Sequence, residues 1–259
     1  MKWDPAKYVQ FGDHRDRPYF DLTGRIHADD PGLVVDLGCG PGKLTSTLAE
    51  RWPRAQVVGL DSSPEMLEEA AGYSDAIPNL SFTLADISAW MPSEQTEVVV
   101  TNAALQWVPG HRELLPGWLS ALRPGAWFAL QVPGNFGSPS HALMRALAES
   151  EPWAGRLAGV LRHQDAAGEA AEYLEIMLDA DCDADAWETR YLQLLPGENP
   201  VLEWVRGTAL RPVLAALSAE EARRFEAEYS ALLKEAYPPG RHGTVFPFRR
   251  IFAVARKRG

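Results

Sequence analysis

Short apolar runs alternate with amphipathic stretches through the first half of the chain. Residues 34–37, 56–61, 80–87, 97–102 and 126–132 are each of strand length and rich in aliphatic side chains. Runs of this kind predict buried parallel strands. Between them, Leu44, Leu48 and Trp52 repeat at helical spacing before Pro53 stops the pattern. Ser62-Ser63-Pro64-Glu65 opens the next helix with a Ser cap, Pro at its first position and an acid in its first turn. Residues 117–122 continue a further helix, and Arg123-Pro124-Gly125 turns into the fifth strand. This repetition predicts an α/β fold, a doubly wound and mostly parallel sheet with ligands at the carboxyl ends of its strands.

Beyond Pro133 the rhythm changes. Residues 134–182 read as helical, with loops near 137–140 and 155–168, and 187–195 alternates as a strand. Residues 200–236 predict two helices split near Ser218, whose Ser-Ala-Glu-Glu is a capping-box pattern. A closing strand covers 244–256, with Pro247 near an edge. The expectation is one domain, 1–259. Its sheet has seven strands, and a helical cap (134–186 and 196–243) is inserted around the late ones. In residues 1–30, Tyr19, Phe20, Leu22 and Ile26 have loose helical spacing, and Tyr8 and Arg17 are positioned to fold over a ligand.

Charge narrows the partners. A formal net charge of −10 over 259 residues argues against broad contact with nucleic acid or an anionic membrane. Residues 165–188 hold nine acids and no Lys or Arg, which reads as a solvated helix face, whereas 241–259 holds six basic residues and no acid. The two cysteines exclude a disulfide framework, and Cys39 reads as a small packing residue. No metal-ligand spacing, secretory leader or run of about 18 apolar residues is present, so a cytoplasmic protein without metal is expected, and a monomer is compatible with the sequence.

The chemistry concentrates at Val34-Val35-Asp36-Leu37-Gly38-Cys39-Gly40-Pro41-Gly42, a strand entering a glycine-rich turn ahead of a helix. Gly38 and Gly40 permit positive φ and a close ligand approach, and a helix N-terminus follows. A dinucleotide fingerprint fails at Lys43, and a P-loop fails at Leu37 and Leu44. The pattern acidic-x-Gly-x-Gly-x-Gly fits throughout. A carboxylate at Asp36 would repel a pyrophosphate and welcome a cation such as a sulfonium. Asp61 lies about twenty residues past the glycines, where a carboxylate hydrogen-bonds ribose hydroxyls. Asp86 suits an exocyclic amine of adenine and Ile87 its ring, while the loop from Asn102 to Val108 stands where such sheets place reacting groups.

Through Asp36-x-Gly38-x-Gly40-x-Gly42, Asp61, Asp86 and the loop after strand four, residues 34–132 resemble the class I S-adenosylmethionine-dependent methyltransferases. A narrower resemblance, to those esterifying a small polycarboxylic acid, rests on motifs spread over nearly the whole chain. They are Trp3-Asp4-Pro5-x-x-Tyr8, Arg15-x-Arg17-Pro18, Asp61-Ser62-Ser63-Pro64-x-Met66 and Asn102-Ala103-x-Leu105-Gln106-Trp107. Two more lie later, Gly207-Thr208-x-Leu210-Arg211-Pro212 and Phe248-Arg249-Arg250-Ile251-Phe252. The resemblance implies S-adenosyl-L-methionine held by Asp36, Gly38, Gly40, Asp61, Ser62, Met66, Asp86, Ile87 and Asn102, with Arg17 and Tyr8. It implies in-line methyl transfer to one carboxylate of a polycarboxylate substrate. Such a group is ionised at neutral pH, so no catalytic acid–base residue is expected. Arg211 and Arg250 are the first choices for gripping the acceptor, with Trp107, Arg249, His163, Arg206 and Arg17 behind them. The alternatives are a methyltransferase for another small acid or natural product, and a non-catalytic cofactor-binding protein.

Overall fold

The computed structural model describes residues 12–161 and 166–259, with only the backbone course for 12–15. Tyr8 and His163 lie outside the described residues. The strands are β1 (Leu33–Leu37), β2 (Gln56–Asp61), β3 (Leu80–Leu84), β4 (Thr96–Asn102), β5 (Trp127–Pro133), β6 (Cys182–Leu195) and β7 (Thr244–Lys257). They form one sheet in the order β3-β2-β1-β4-β5-β7-β6. The first five pair in parallel and β7 runs antiparallel to β5. The strand order reverses between β1 and β4, the switch point at which such sheets bind ligands.

The chain divides into two compact units. The first comprises residues 1–133, 167–189 and 250–259, and the second 134–166 and 190–249. In the first unit, α1 (Gly12–Thr23) buries Tyr19 and Leu22 and packs against β4 and β5. Its C-terminal end is held by Arg51, the last residue of α2 (Lys43–Arg51), whose guanidinium donates to the Thr23 and Ile26 carbonyls at 2.6 and 2.5 Å. The opposite face of the sheet carries Leu37, Val99, Phe128, Leu130 and Val132 in a core closed by Trp118, Leu119, Tyr173 and Met177.

Those last four residues belong to α4 (His111–Ala121) and α7 (Ala170–Asp179), which pack on each other. Tyr173 accepts the Gly168 N–H at 3.0 Å and stands 2.7 Å from His111 Nε2. The Tyr173 hydroxyl proton is therefore donated to Nε2, which leaves Nδ1–H facing the Val108 carbonyl at 3.2 Å. Burial lowers the His111 pKa and keeps the ring neutral, which this pattern requires. The pairing explains why 167–189, expected in the cap and a late strand, groups with the first unit.

Strand β6 also begins at Cys182, five residues before the expected start at 187. Cys182 is buried and Asp183 and Asp185 are exposed, so Asp-Ala-Asp-Ala alternates as a strand with its acids turned to solvent. Asp183 accepts Arg258 Nε at 2.8 Å. The acidic run is thus half helix and half strand, not one helix face.

The second unit contains α5 (Pro139–Ala148), α6 (Ala154–Leu157), α8 (Pro200–Arg206), α9 (Arg211–Ala216) and α10 (Ala219–Ala236). Three helices stand where two were expected after residue 200, because Gly207 ends α8 and Pro212 is tolerated only near the start of a new helix. The capping box at Ser218 forms as expected, with Glu221 Oε2 accepting the Ser218 N–H at 3.0 Å. Pro247, expected near an edge, lies on an interior strand. It precedes the stretch 250–256 that pairs with β5, so no β5 carbonyl requires its missing N–H.

Candidate functional site

The glycine loop after β1 is fastened to the end of β2. Gly38 and Cys39 donate their N–H groups to the Leu60 carbonyl at 2.7 and 3.0 Å, and Gly40 N–H donates to Asp61 Oδ2 at 2.9 Å. Gly38 has φ +76°, and a Cβ there would stand 2.3 Å from the Ala104 Cβ. This glycine is required because the loop after β4 fills the space beside it. Gly40, at φ +57°, faces open space, with nothing within 4 Å of where a Cβ would be. In the direction of the missing side chain the loop is therefore closed at Gly38 and open at Gly40. Cys39 is buried, and burial first, then Asp36 and Asp61, pushes its thiol pKa well up, in keeping with a packing role.

Asp36 is 2% exposed, and its Oδ2 accepts the Thr45 hydroxyl at 2.7 Å. Burial, with a smaller push from Asp61, raises its pKa from 3.8 to about 7 against the opposing Thr45 hydrogen bond. No Lys, Arg or His among the described residues forms an ion pair with it. A buried carboxylate in this condition keeps its proton or takes up a cation that comes from elsewhere.

Asp61 accepts Gly40 N–H on Oδ2 and Ser63 N–H on Oδ1, each at 2.9 Å. Each oxygen keeps a further lone pair for hydroxyl donors. Ser63, not Ser62, caps α3 (Pro64–Ala76), accepting Met66 N–H at 3.3 Å; Ser62 is exposed and Met66 buried. Asp86 caps the short turn Ile87–Ala89. Its Oδ1 takes both the Ser88 N–H and hydroxyl at 2.9 and 2.7 Å, which holds its pKa below the ordinary range. Ile87 is buried against the core.

At the end of β4, Asn102 Oδ1 is buried without a partner among the described residues. Ala103 follows at φ +54°, a conformation a non-glycine residue seldom takes. Its N–H donates to the Gln131 carbonyl at 2.9 Å, and Ala104 comes up against Gly38. Trp107, half-buried, ends the short turn Leu105–Trp107. Arg17 stays on the exposed side of α1, 3.8 Å from Asp21. Lys43, at the start of α2, reaches Asp16 on α1 at 2.6 Å, a link the sequence did not disclose.

The arginines divide sharply. Arg250 is 5% exposed on β7, and its Nη1 donates to Gln131 Oε1 at 3.2 Å. In the second unit, Arg211 is half-buried at the first position of α9. The Arg249 backbone is clamped by Asn135, whose Oδ1 accepts its N–H at 2.9 Å and whose Nδ2 donates to its carbonyl at 3.0 Å. Arg206 is withdrawn as an acceptor ligand, because Glu226 at 2.6 Å and Glu203 already neutralise it. Sequence reasoning missed Thr45, Asn135 and Gln131. For Gln131 a signal existed, a lone amide inside the apolar run 126–132.

Residues 34–125 match the family model described as a methyltransferase domain. The trans-aconitate 2-methyltransferase of Streptomyces avermitilis is 54% identical over 98% of this chain and 97% of that protein. Its counterpart from Rhodococcus jostii is also 54% identical, over 98% of this chain and 99% of that protein. The one from Mycobacterium tuberculosis is 48% identical over 99% and 97%. Among solved structures, Bacillus subtilis YcgJ superposes with a TM-score of 0.59 at 14% identity, covering 95% of this chain and 99% of that one. A Geobacter sulfurreducens S-adenosylmethionine-dependent methyltransferase in complex with S-adenosylhomocysteine gives 0.57 at 16%, over 99% and 100%. At these identities the structural likeness shows the fold.

Proposed function

This chain belongs to the trans-aconitate 2-methyltransferase family, and we propose that it esterifies one carboxylate of trans-aconitate with the methyl group of S-adenosyl-L-methionine. The observation that carries the cofactor is Asp36, a buried carboxylate with a raised pKa and no ion-pair partner among the described residues. S-adenosylmethionine, when bound, supplies a methyl group made electrophilic by its sulfonium charge. Asp36 balances positive charge, Asp61 accepts ribose hydroxyls, and Gly40 leaves the backbone open to a ligand. Asp86 offers Oδ2 to the adenine amine, with Ile87 beside the ring and Asn102 at the end of β4.

No side chain need take a proton. An acceptor carboxyl with a pKa of roughly 4 is already an anion at neutral pH. What the protein supplies is orientation and a site from which water is displaced. Arg250 is assigned to a carboxylate of the acceptor, for which a planar guanidinium is suited. The net charge of −10 speaks against a nucleic-acid acceptor. No described helix is long and apolar enough to cross a membrane, and both cysteines are free and buried, which supports a cytoplasmic setting.

Incubation with labelled cofactor and trans-aconitate should yield a base-labile methyl ester; turnover confined to phenols or amines would overturn the acceptor assignment. Asp61→Ala should weaken cofactor binding by roughly 1–3 kcal/mol, the range for hydrogen bonds to a charged group. Unchanged affinity by calorimetry would remove Asp61 from the ribose site.

A further inference from the structure

Four polar side chains lie on one face of the sheet at its ligand-binding end, all within the first unit. Asp36 on β1 is in register with Val100 on β4, and Asn102 stands two residues further along that strand. Asn102 is in register with Gln131 on β5. Gln131 is opposite Phe252 on β7, and Arg250 stands two residues from Phe252. Residues in register, and residues two apart on one strand, share a face. Asp36, Asn102, Gln131 and Arg250 therefore form a diagonal row across four adjacent strands, about 14 Å wide at about 4.8 Å per strand and about 13 Å along the strands, so about 19 Å from end to end. The row runs from an anion, through two amides, to a cation. Trp127, on the same face, meets His27 just beyond α1, so this is the face that α1 covers.

Gln131 is the unusual member. It is 0% exposed in an otherwise apolar strand. Its Oε1 faces Arg250, and because a guanidinium only donates, this contact fixes which end of the amide is oxygen. Its Nε2 then presents two donor hydrogens and has no partner among the described residues. A buried orphan donor is costly unless something outside the chain satisfies it. The neighbouring Asn102 Oδ1 also lacks a partner among the described residues.

We infer that Gln131 determines acceptor specificity, donating from Nε2 to the acceptor's carboxylate while its Oε1 orients Arg250 toward the same group. This rests on the proposed carboxylate acceptor. The polarity of the row matches the two ligands, with the cationic cofactor at the Asp36 end and the anionic acceptor at the Gln131–Arg250 end. A neutral amide suits this post. A Glu in its place would satisfy Arg250 internally and repel the acceptor.

The test is calorimetry on the protein loaded with S-adenosylhomocysteine, titrated with trans-aconitate and a panel of mono-, di- and tricarboxylates. Ester formation and thermal unfolding are followed alongside. Gln131→Met, close in volume, should raise the trans-aconitate Kd about 10-fold, and Gln131→Glu about 100-fold or more, with cofactor Kd within about twofold of wild type. Unchanged acceptor affinity in both variants overturns the inference, as does a parallel loss of cofactor and acceptor binding, which marks a scaffold role. Failure of every carboxylate to bind the wild type overturns it too. Gln131-dependent binding of a carboxylate that is never esterified leaves the inference standing and refutes the proposed reaction instead.

Discussion

Asp36→Asn should lower cofactor affinity and raise stability in the same protein. In the proposed site the carboxylate balances the cofactor's positive charge, and its loss should cost about 2–3 kcal/mol, roughly 30- to 150-fold in Kd. In the folded protein its pKa lies near 7, above the ordinary 3.8, so folding binds its proton more tightly. That contribution to stability is complete below about pH 4 and is lost as pH rises through 7; above 7 the buried charge costs at most about 4 kcal/mol. Asn keeps an oxygen for Thr45 and carries no charge, so the variant should unfold at a higher temperature than wild type at pH 8. The difference should vanish toward pH 4. Cofactor affinity of the wild type should fall about tenfold per pH unit below 7, because binding must first expel the Asp36 proton. Calorimetry in buffers of different ionisation enthalpy measures that release directly. A pH-independent Kd between 5 and 8 would show that Asp36 does not face the cation.

Arg250→Leu should raise the trans-aconitate KM about 100-fold or more, since truncating one partner of a buried charge pair costs about 2–5 kcal/mol. Cofactor Kd should hold, because Asp36, Gly40 and Asp61 lie on β1, β2 and their loop, away from β7. Arg250→Lys should recover part of the affinity, keeping the charge but losing the fork. Arg206→Ala provides the contrast. Glu226 and Glu203 already satisfy that guanidinium, so its removal should affect stability and leave acceptor KM near wild type. Equal KM effects from both would remove the distinction between the two arginines.

The placing of the candidate cofactor residues was legible because their surroundings are local. Asp36, Asp61 and Asp86 each lie at or just beyond the carboxyl end of a short apolar run, with Gly40 in the loop after the first, and in a parallel sheet such ends meet by construction. Gly38 was read as leaving room for a ligand, and the structure adds the reason that only glycine fits there. Its space belongs to Ala104, more than sixty residues on, and no local pattern reports that contact. The late helices and the start of β6 were misplaced for a related reason. Asp183-Ala184-Asp185-Ala186 alternates but consists of poor strand formers, and it becomes a strand through its place beside β7.

By itself, then, the sequence determined the strand–helix rhythm, the glycine loop and the three carboxylates at strand ends, because these follow from periodicity and turn chemistry over a few residues. Tertiary structure alone decided which arginine is buried beside an amide and which is spent on glutamates. It also raised the pKa of Asp36 and set Gln131 in a row with Asn102 and Arg250. Register between distant strands and loss of solvent around a charge are properties of the assembled sheet, not of any stretch of chain.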